Sequence, residues 1–212
     1  MEAVNGKLME RIERIKRMCE KCKEEIHKNT YENDIRCVCY NAFIDHLEYF
    51  ATVIPVILRS KNKKRWGGKL IKQTYISMLS TIEYVMKSVL RIYPRSPLYR
   101  KVVEYSKNNG GFEKISLTKI VQFSTDIGIF NRAMRREFEN IIEVRHLLVH
   151  NNAISNSDEI KTIGTTRVEL KKGKTLSIKI TDMLEIITTA IELFHRWNLE
   201  LAKNNGFIGK GR

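Results

Sequence analysis

Apolar residues recur at intervals of three and four along most of the 212-residue chain, and this spacing places them on one face of an α-helix. The segments 7–28 and 181–203 show the pattern most clearly, with charged or polar residues on their other faces. A chain of this length with 42% apolar residues can bury a substantial core. The pattern therefore predicts an all-α fold, a multi-helix bundle that forms a single domain.

Residues that cap or break helices divide this pattern into segments. Capping side chains at 32–34 precede the second helix, and Pro55 is expected to bend or end its last turns. Residues 60–68 are expected to form an exposed loop, which the pair Gly67-Gly68 closes. The predicted helices cover 7–28, the segment from the caps at 32–34 to Arg59, 69–92, 98–107, 117–123, 129–150 and 181–203.

Residues 166–180 follow a different period. Apolar and polar residues alternate in Arg167–Leu170 and again in Leu176–Ile180, on either side of the basic segment 171–174. Alternation by two is the period of a β-strand. The sequence therefore predicts a small β-hairpin with a basic tip, inserted before the last helix of the bundle.

The chain is strongly basic. Its 38 Lys and Arg residues exceed its 24 Asp and Glu residues, which gives a net charge of +14. A protein with this charge is attracted to polyanions such as RNA or DNA, although a soluble lysine-rich surface has the same composition. Charge alone does not separate these two interpretations.

Membrane insertion and secretion are not expected. A membrane-spanning helix needs about 18 continuous apolar residues, and the best candidate, 43–58, is interrupted by Asp45, Glu48 and Pro55. The N-terminal residues are charged and do not lead into an apolar signal segment. We therefore expect a cytoplasmic protein with no membrane partner.

One segment carries residues suited to chemistry. Residues 143–152 are E-V-R-H-L-L-V-H-N-N, with Arg145, His146 and His150 near the end of an amphipathic helix. This segment resembles the R-polar-x-x-x-H motif of HEPN domains, and the helix order of residues 35–203 is similar to theirs. The resemblance implies an HEPN-like bundle and, as in many members of that group, a metal-independent endoribonuclease that acts as a homodimer without a cofactor.

The residue types of the motif suit the cleavage of single-stranded RNA by its own 2′-OH. A histidine can accept or donate a proton near neutral pH, and an arginine can hold two phosphate oxygens with its planar guanidinium. By the resemblance, His150 acts as general acid/base and Arg145 binds phosphate, which leaves a 2′,3′-cyclic phosphate. Glu143, His146 and Asn151 are the supporting residues. The resemblance also implies a toxin or defence role, with an antitoxin as a further partner.

The motif helix is expected to have two apolar strips. At about 100° per residue, a strip around Val144 faces the bundle core, whereas Phe138, Ile142 and Val149 form a second strip with charged residues on both sides. A helix with such a strip can meet its own copy across a two-fold axis. The sequence therefore predicts that two copies of the motif share one cleft.

Other interpretations of the motif remain open. Arg145 and His150 can simply interact with the carbonyl end of the helix dipole. The domain can instead be a non-catalytic HEPN-like module that binds nucleotide, nucleic acid or a protein, or a plain helical interaction protein. Glu83 lies on an earlier helix that is similar to one in HEPN domains; it can pair with Arg145, but a surface position is favoured.

Basic clusters at 61–65, 132–136 and 171–174 can contact RNA, although a solvated face is the commoner fate of such runs. An exposed tryptophan beside cations can stack on a base while the cations hold phosphates, or it can pack against its own helix. Arginines upstream on the motif helix can extend the RNA path toward the motif. The candidate nucleic-acid-binding residues are Lys63, Lys64, Arg65, Trp66, Arg132, Arg135 and Arg136.

Four cysteines lie in the first two predicted helices, at positions 19, 22, 37 and 39. A CxxC pair combined with a second pair can bind zinc. However, Cys37 and Cys39 point about 200° apart on a helix, so they do not readily hold one ion together. Buried structural thiols are therefore favoured, and no metal is expected in the candidate site.

Overall fold

The computed structural model describes residues 2–28, 34–150 and 153–204, which are mostly helical. Within these ranges the chain forms seven α-helices, one 3₁₀ turn and a two-stranded antiparallel hairpin before the last helix. The predicted all-α class with a small hairpin is confirmed. The elements are α1 (Glu2–His27), α2 (Ile35–Arg59), α3 (Lys63–Ile92), α4 (Pro97–Lys107), α5 (Leu117–Asp126), α6 (Arg132–His150), β1 (Glu159–Ile163), β2 (Thr166–Leu170) and α7 (Ile180–Asn204).

A continuous core of buried apolar side chains connects these helices. Its largest members are aromatic and include Tyr40, Tyr75 and Trp197, which are fully buried. Helix α6 lies in contact with α3, α5, α7 and β1. This packing on several sides fixes the orientation of α6, which carries the motif residues. No helix in the described ranges is both long enough and apolar enough to cross a membrane.

Helix starts follow the capping residues that the sequence predicts. The carboxylate of Asp34 accepts a hydrogen bond of 2.8 Å from the backbone N of Arg36, and further hydrogen bonds from its guanidinium. Ser116 caps α5 with a hydrogen bond of 3.3 Å from a backbone N–H of the first turn. Helix α2 continues through Pro55 to Arg59, so the proline does not end it.

The predicted loop at 60–68 is wrong, because α3 begins at Lys63 and includes both glycines. Gly67 is buried, and a Cβ at this position would lie 3.4 Å from the side chain of Ile180 and 3.8 Å from that of Ile54. A glycine inside a helix costs about 1 kcal/mol relative to alanine. Burial of the apolar side chains around Gly67 outweighs this cost, so tertiary packing overrides the local breaking signal.

The predicted hairpin, 166–180, is shifted along the chain. Strand β1 pairs with β2 through the two-residue turn Gly164-Thr165. Gly164 has a φ of +55°, the left-handed conformation that tight hairpin turns commonly require of a glycine. Residues 176–180 do not form a strand. The basic segment 171–174 therefore follows the hairpin and is not its tip.

Side chains of α6 hold the hairpin in place. The side-chain amide of Asn140 donates a hydrogen bond of 3.0 Å to the carbonyl oxygen of Thr162. The carboxylate of Glu137 accepts a hydrogen bond from the backbone N of Gly164, in the hairpin turn. These two contacts position β1 along α6.

We expect Gly68→Ala to raise the free energy of unfolding by about 0.5–1 kcal/mol, because Gly68 is inside a helix and nothing lies within 4 Å of an added Cβ.

We expect Gly164→Ala, in contrast, to lower the free energy of unfolding by more than about 1 kcal/mol. Gly164 has a positive φ, and a Cβ there would lie 2.6 Å from the hydroxyl of Thr189. Urea denaturation measures both changes. A stabilising Gly164→Ala would contradict the hairpin turn.

Candidate functional site

The core-facing strip of α6 is as the sequence predicts. Val144 and its neighbours Ile141 and Leu147 are buried in the bundle. The helix begins after Asn131, whose side-chain oxygen accepts a hydrogen bond of 2.9 Å from the backbone N of Met134. The cap and the buried strip together set which α6 side chains face solvent.

The second apolar strip does not form a free surface. Phe138 and Ile142 are buried within the chain, and the ring of Phe138 packs against Phe130 with centroids 5.9 Å apart. Only Val149 of this strip is exposed, at 44%. The expected contact between two copies of α6 is therefore limited to the C-terminal turn of the helix.

Arg145 is attached to α3. Its Nη1 donates to Oε2 of Glu83 at 3.0 Å, and its Nη2 donates to Oγ of Ser80 at 3.1 Å. The side chains of Arg145 and Glu83 are 24% and 23% exposed. The favoured surface position of Glu83 is thus wrong, since it forms a partly buried ion pair with Arg145. Among the described residues, Nε of Arg145 is buried without a hydrogen-bond partner.

A second contact joins the same two helices. The hydroxyl of Tyr75 donates a hydrogen bond of 2.6 Å to the carbonyl oxygen of Ile141. Burial raises the pKa of Tyr75, and the nearby charge of Arg145 opposes this shift only in part. Sequence reasoning missed both Tyr75 and Ser80. Ser80 and Glu83 are three residues apart, so their shared helix face was a signal for Ser80, whereas Tyr75 gave none.

The two histidines of the motif lie together at the exposed end of α6. Both His146 and His150 face solvent, and their ring centroids are 4.6 Å apart. Arg145 and His150 are about 140° apart around the helix and about 7.5 Å apart along its axis. The chain therefore brings the two imidazoles together, while Arg145 lies on the side of α6 that faces α3.

The supporting residue Glu143 is engaged with the hairpin. Its carboxylate pairs with Nζ of Lys161 at 2.8 Å, and Lys161 also pairs with Glu159. Burial lowers the pKa of Lys161, but the hydrogen bonds that its Nζ donates to Glu143 and Glu159, together with their negative charge, outweigh this and raise the pKa. Glu143 thus links α6 to β1. Asn151, a further supporting residue, lies outside the described residues.

The first basic cluster lies at the start of α3. Lys63 and Arg65 are exposed, and the side chain of Lys64 lies outside the described part of the chain. Trp66 is 46% exposed, and Nζ of Lys69 lies 5.1 Å from its ring centroid. This cluster is about 25 Å along the α3 axis from Glu83. It is therefore well separated from the motif residues.

The second basic cluster occupies the first two turns of α6. Arg132 and Arg136 are exposed, whereas Nε of Arg135 pairs with Glu139 at 2.9 Å. Arg136 is about 14 Å along the helix axis from Arg145. The three arginines thus differ in how free they are to bind an anion.

The four cysteines are all buried and free, as favoured from the sequence. Burial raises the pKa of Cys19 and of Cys22 to about 12 and raises the pKa of Cys39 well above its usual value. In the described ranges, no group of three or more His, Cys, Asp or Glu residues is arranged to hold a metal ion. The thiols are neutral packing groups of α1 and α2.

Comparison with known proteins finds no matching family model, no similar curated protein and no similar solved structure. A function for the chain must therefore be argued from its own residues and their geometry.

We expect Glu83→Gln to lower the free energy of unfolding by about 1–2 kcal/mol, because it leaves the mostly buried guanidinium of Arg145 without its carboxylate. Glu169→Gln is a matched control, since Glu169 pairs with Lys171 on the exposed surface and should change stability by less than about 0.5 kcal/mol. Urea denaturation of both variants tests this. Equal losses would show that the Arg145 pair is no stronger than a surface ion pair.

Proposed function

We propose that the chain is a metal-independent endoribonuclease of the HEPN type, which cleaves single-stranded RNA and leaves a 2′,3′-cyclic phosphate. One observation carries the proposal. Two exposed imidazoles, His146 and His150, lie 4.6 Å apart at the end of α6, and Glu83 and Ser80 hold Arg145 in place on the side of the same helix that faces α3. Such a set offers proton transfer and a positioned cation without a metal.

The chemistry requires two proton transfers. A neutral imidazole takes the proton of the ribose 2′-OH as its oxygen attacks phosphorus, and the phosphorus–O5′ bond breaks. A protonated imidazole gives its proton to the leaving 5′-oxygen. We assign His150 to this acid/base work, with His146 close enough to share it. Arg145 binds the phosphate and stabilises the negative charge of the phosphorane.

A second copy of the chain completes the site in this proposal. Because Arg145 and His150 lie about 140° apart around α6, one chain does not direct both at the same phosphate. A two-fold dimer can combine Arg145 of one protomer with the histidines of the other. Val149 lies one turn beyond Arg145 on α6, and Tyr84 follows Glu83 on α3. Both side chains are exposed, and dimer formation through this end of α6 would bury apolar surface.

The proposal includes a biological setting. An endoribonuclease that cuts single-stranded RNA harms its own cell when it is unrestrained. A role as a toxin or defence effector, kept inactive by an antitoxin protein, therefore fits the proposed activity. The net charge of +14 favours an acidic partner of either kind, RNA or protein.

A non-catalytic HEPN-like binding module is the second candidate. It is favoured by the ion pair between Arg145 and Glu83, because a guanidinium already paired with a carboxylate has less charge to offer a phosphate. In that case Arg145 serves to hold α6 against α3, and the exposed histidines contact a bound nucleotide, nucleic acid or protein.

We expect purified protein to cut labelled single-stranded RNA in the presence of EDTA, and His150→Ala and Arg145→Ala to lose at least about 100-fold in rate. His27→Ala is a matched control, because His27 is also an exposed histidine in the last turn of a helix. It should cut at the wild-type rate. Cutting that persists in both motif variants would refute the site, and the absence of cutting by wild type would favour the binding module.

We expect an equal mixture of the two inactive variants, Arg145→Ala and His150→Ala, to recover about a quarter of wild-type activity. Half of randomly mixed dimers are heterodimers, and each heterodimer has one intact composite site and one that lacks both residues. The rate of RNA cleavage after mixing measures this, with each variant alone as the control. A mixture as inactive as its components, or a strictly monomeric protein, would refute the shared site.

A further inference from the structure

Two cavities adjoin each other beside the hairpin. The first, of about 890 Å³, lies between the first half of α6 and strand β1. The second, of about 510 Å³, lies between the hairpin and the basic segment 171–174. Both are lined by Glu159 and Ile160. The two cavities therefore adjoin at these residues. Together they are here called the hairpin groove, whose lining includes Arg132 and Arg136 in the first cavity and Lys172 and Lys174 in the second.

The carboxylates that line the hairpin groove are all engaged within the chain. Glu159 pairs with Lys161, and Glu169 pairs with Lys171. Glu137 accepts a hydrogen bond from the hairpin turn, and Asp158 accepts one of 2.9 Å from a backbone N of the segment 171–174. Two of these carboxylates are thus paired with lysines, and the other two have a backbone hydrogen bond but keep their charge.

Four cations that line the hairpin groove, in contrast to the carboxylates, have no ion-pair partner among the described residues. Arg132 and Arg136 at one end, and Lys172 and Lys174 at the other, are exposed. Free cations thus lie at both ends of the groove, which suits a ligand that carries several negative charges.

The middle of the hairpin groove carries one large exposed apolar side chain, beside the carboxylate of Glu159. Ile160 lies where the two cavities meet, and it is 57% exposed although it is a large apolar side chain. An apolar contact between two sets of cations suits a chain of phosphates with flat bases or sugars between them. Sites for small molecules usually measure about 300–1,000 Å³, a range that the two joined cavities exceed, which favours a polymer.

The hairpin groove shares a face of α6 with the motif histidines. Arg132, Arg136, Glu143 and His150 fall within about 40° of one another around the helix. Along the axis, Arg136 is about 21 Å from His150. A strand that leaves the groove at Arg136 and continues along this face of α6 passes the ion pair of Glu143 with Lys161 before it reaches the two imidazoles.

We propose that the hairpin groove holds the single-stranded RNA substrate, with phosphates on Arg132 and Arg136 at one end and on Lys172 and Lys174 at the other. The proposal rests on the proposed function for the identity of the polyanion. It adds the path of the strand, which brings RNA to the exposed ends of His146 and His150.

Binding of a fluorescent single-stranded RNA oligonucleotide, followed by anisotropy over a range of salt concentrations, tests the groove. All proteins carry His150→Ala, so that the RNA stays intact. Because each phosphate contact with a single strand contributes about 0.7 to the slope of log affinity against log salt, Arg132→Ala/Arg136→Ala should reduce the slope by about 1.4 and weaken binding several-fold. Lys172→Ala/Lys174→Ala should do the same from the other end.

Arg95→Ala/Arg100→Ala is the matched control, because it removes two exposed arginines of the chain that lie outside the groove. It should leave the slope nearly unchanged. Equal effects of all three double variants would overturn the groove, since binding would then follow net charge alone. If Arg132→Ala/Arg136→Ala reduces the slope and Lys172→Ala/Lys174→Ala does not, the RNA strand does not continue past Ile160, and the proposed path is overturned.

The two proposals fail in distinguishable ways. If RNA binds through the groove residues but the protein without His150→Ala never cuts it, the endoribonuclease proposal fails and the groove stands. If the protein cuts RNA while none of the groove variants changes binding or its salt dependence, the groove fails and the endoribonuclease stands.

Discussion

The attachment of Arg145 to Glu83 and Ser80 is the contact on which the geometry of the candidate site depends. It joins the end of α6 to α3, and the buried hydrogen bond from Tyr75 to Ile141 fixes the same pair of helices one turn away. Because these contacts fix the orientation of α6, they also determine which of its other side chains face the core and which face solvent. One side is buried in the core, and the other presents arginines, Glu143 and the two histidines to solvent.

Much of the fold follows from the sequence because it depends on local chemistry. The periodicity of apolar residues locates the helices, and side chains such as Asp34 and Ser116 cap them where expected. The predictions from sequence are wrong where residues distant in the chain determine the local structure. Gly67 is helical because α2 and Ile180 pack against it. The hairpin turns at Gly164, so β1 lies before the predicted segment 166–180.

The sequence indicates which residues belong to the candidate site, but it does not show which residues of other helices they contact. The four-residue spacing of His146 and His150 places the two imidazoles on one helix face, whereas the spacing of Arg145 and His150 places them about 140° apart around the helix. The partner of Arg145 is 62 residues away in the chain, so no local pattern reveals it. The burial of Phe138 likewise depends on Phe130 and α5, which a helical wheel of α6 does not include.

The hydrogen bond from Asn140 to the carbonyl oxygen of Thr162 has a consequence for solubility. A two-stranded hairpin has open edges whose backbone groups can pair with a strand of another molecule, which is a route to aggregation. Here the side chain of Asn140 donates to the carbonyl oxygen of Thr162 at the edge of β1. Helix α6 itself lies in contact with β1. At this position the outer edge of β1 is therefore closed to a strand of another molecule.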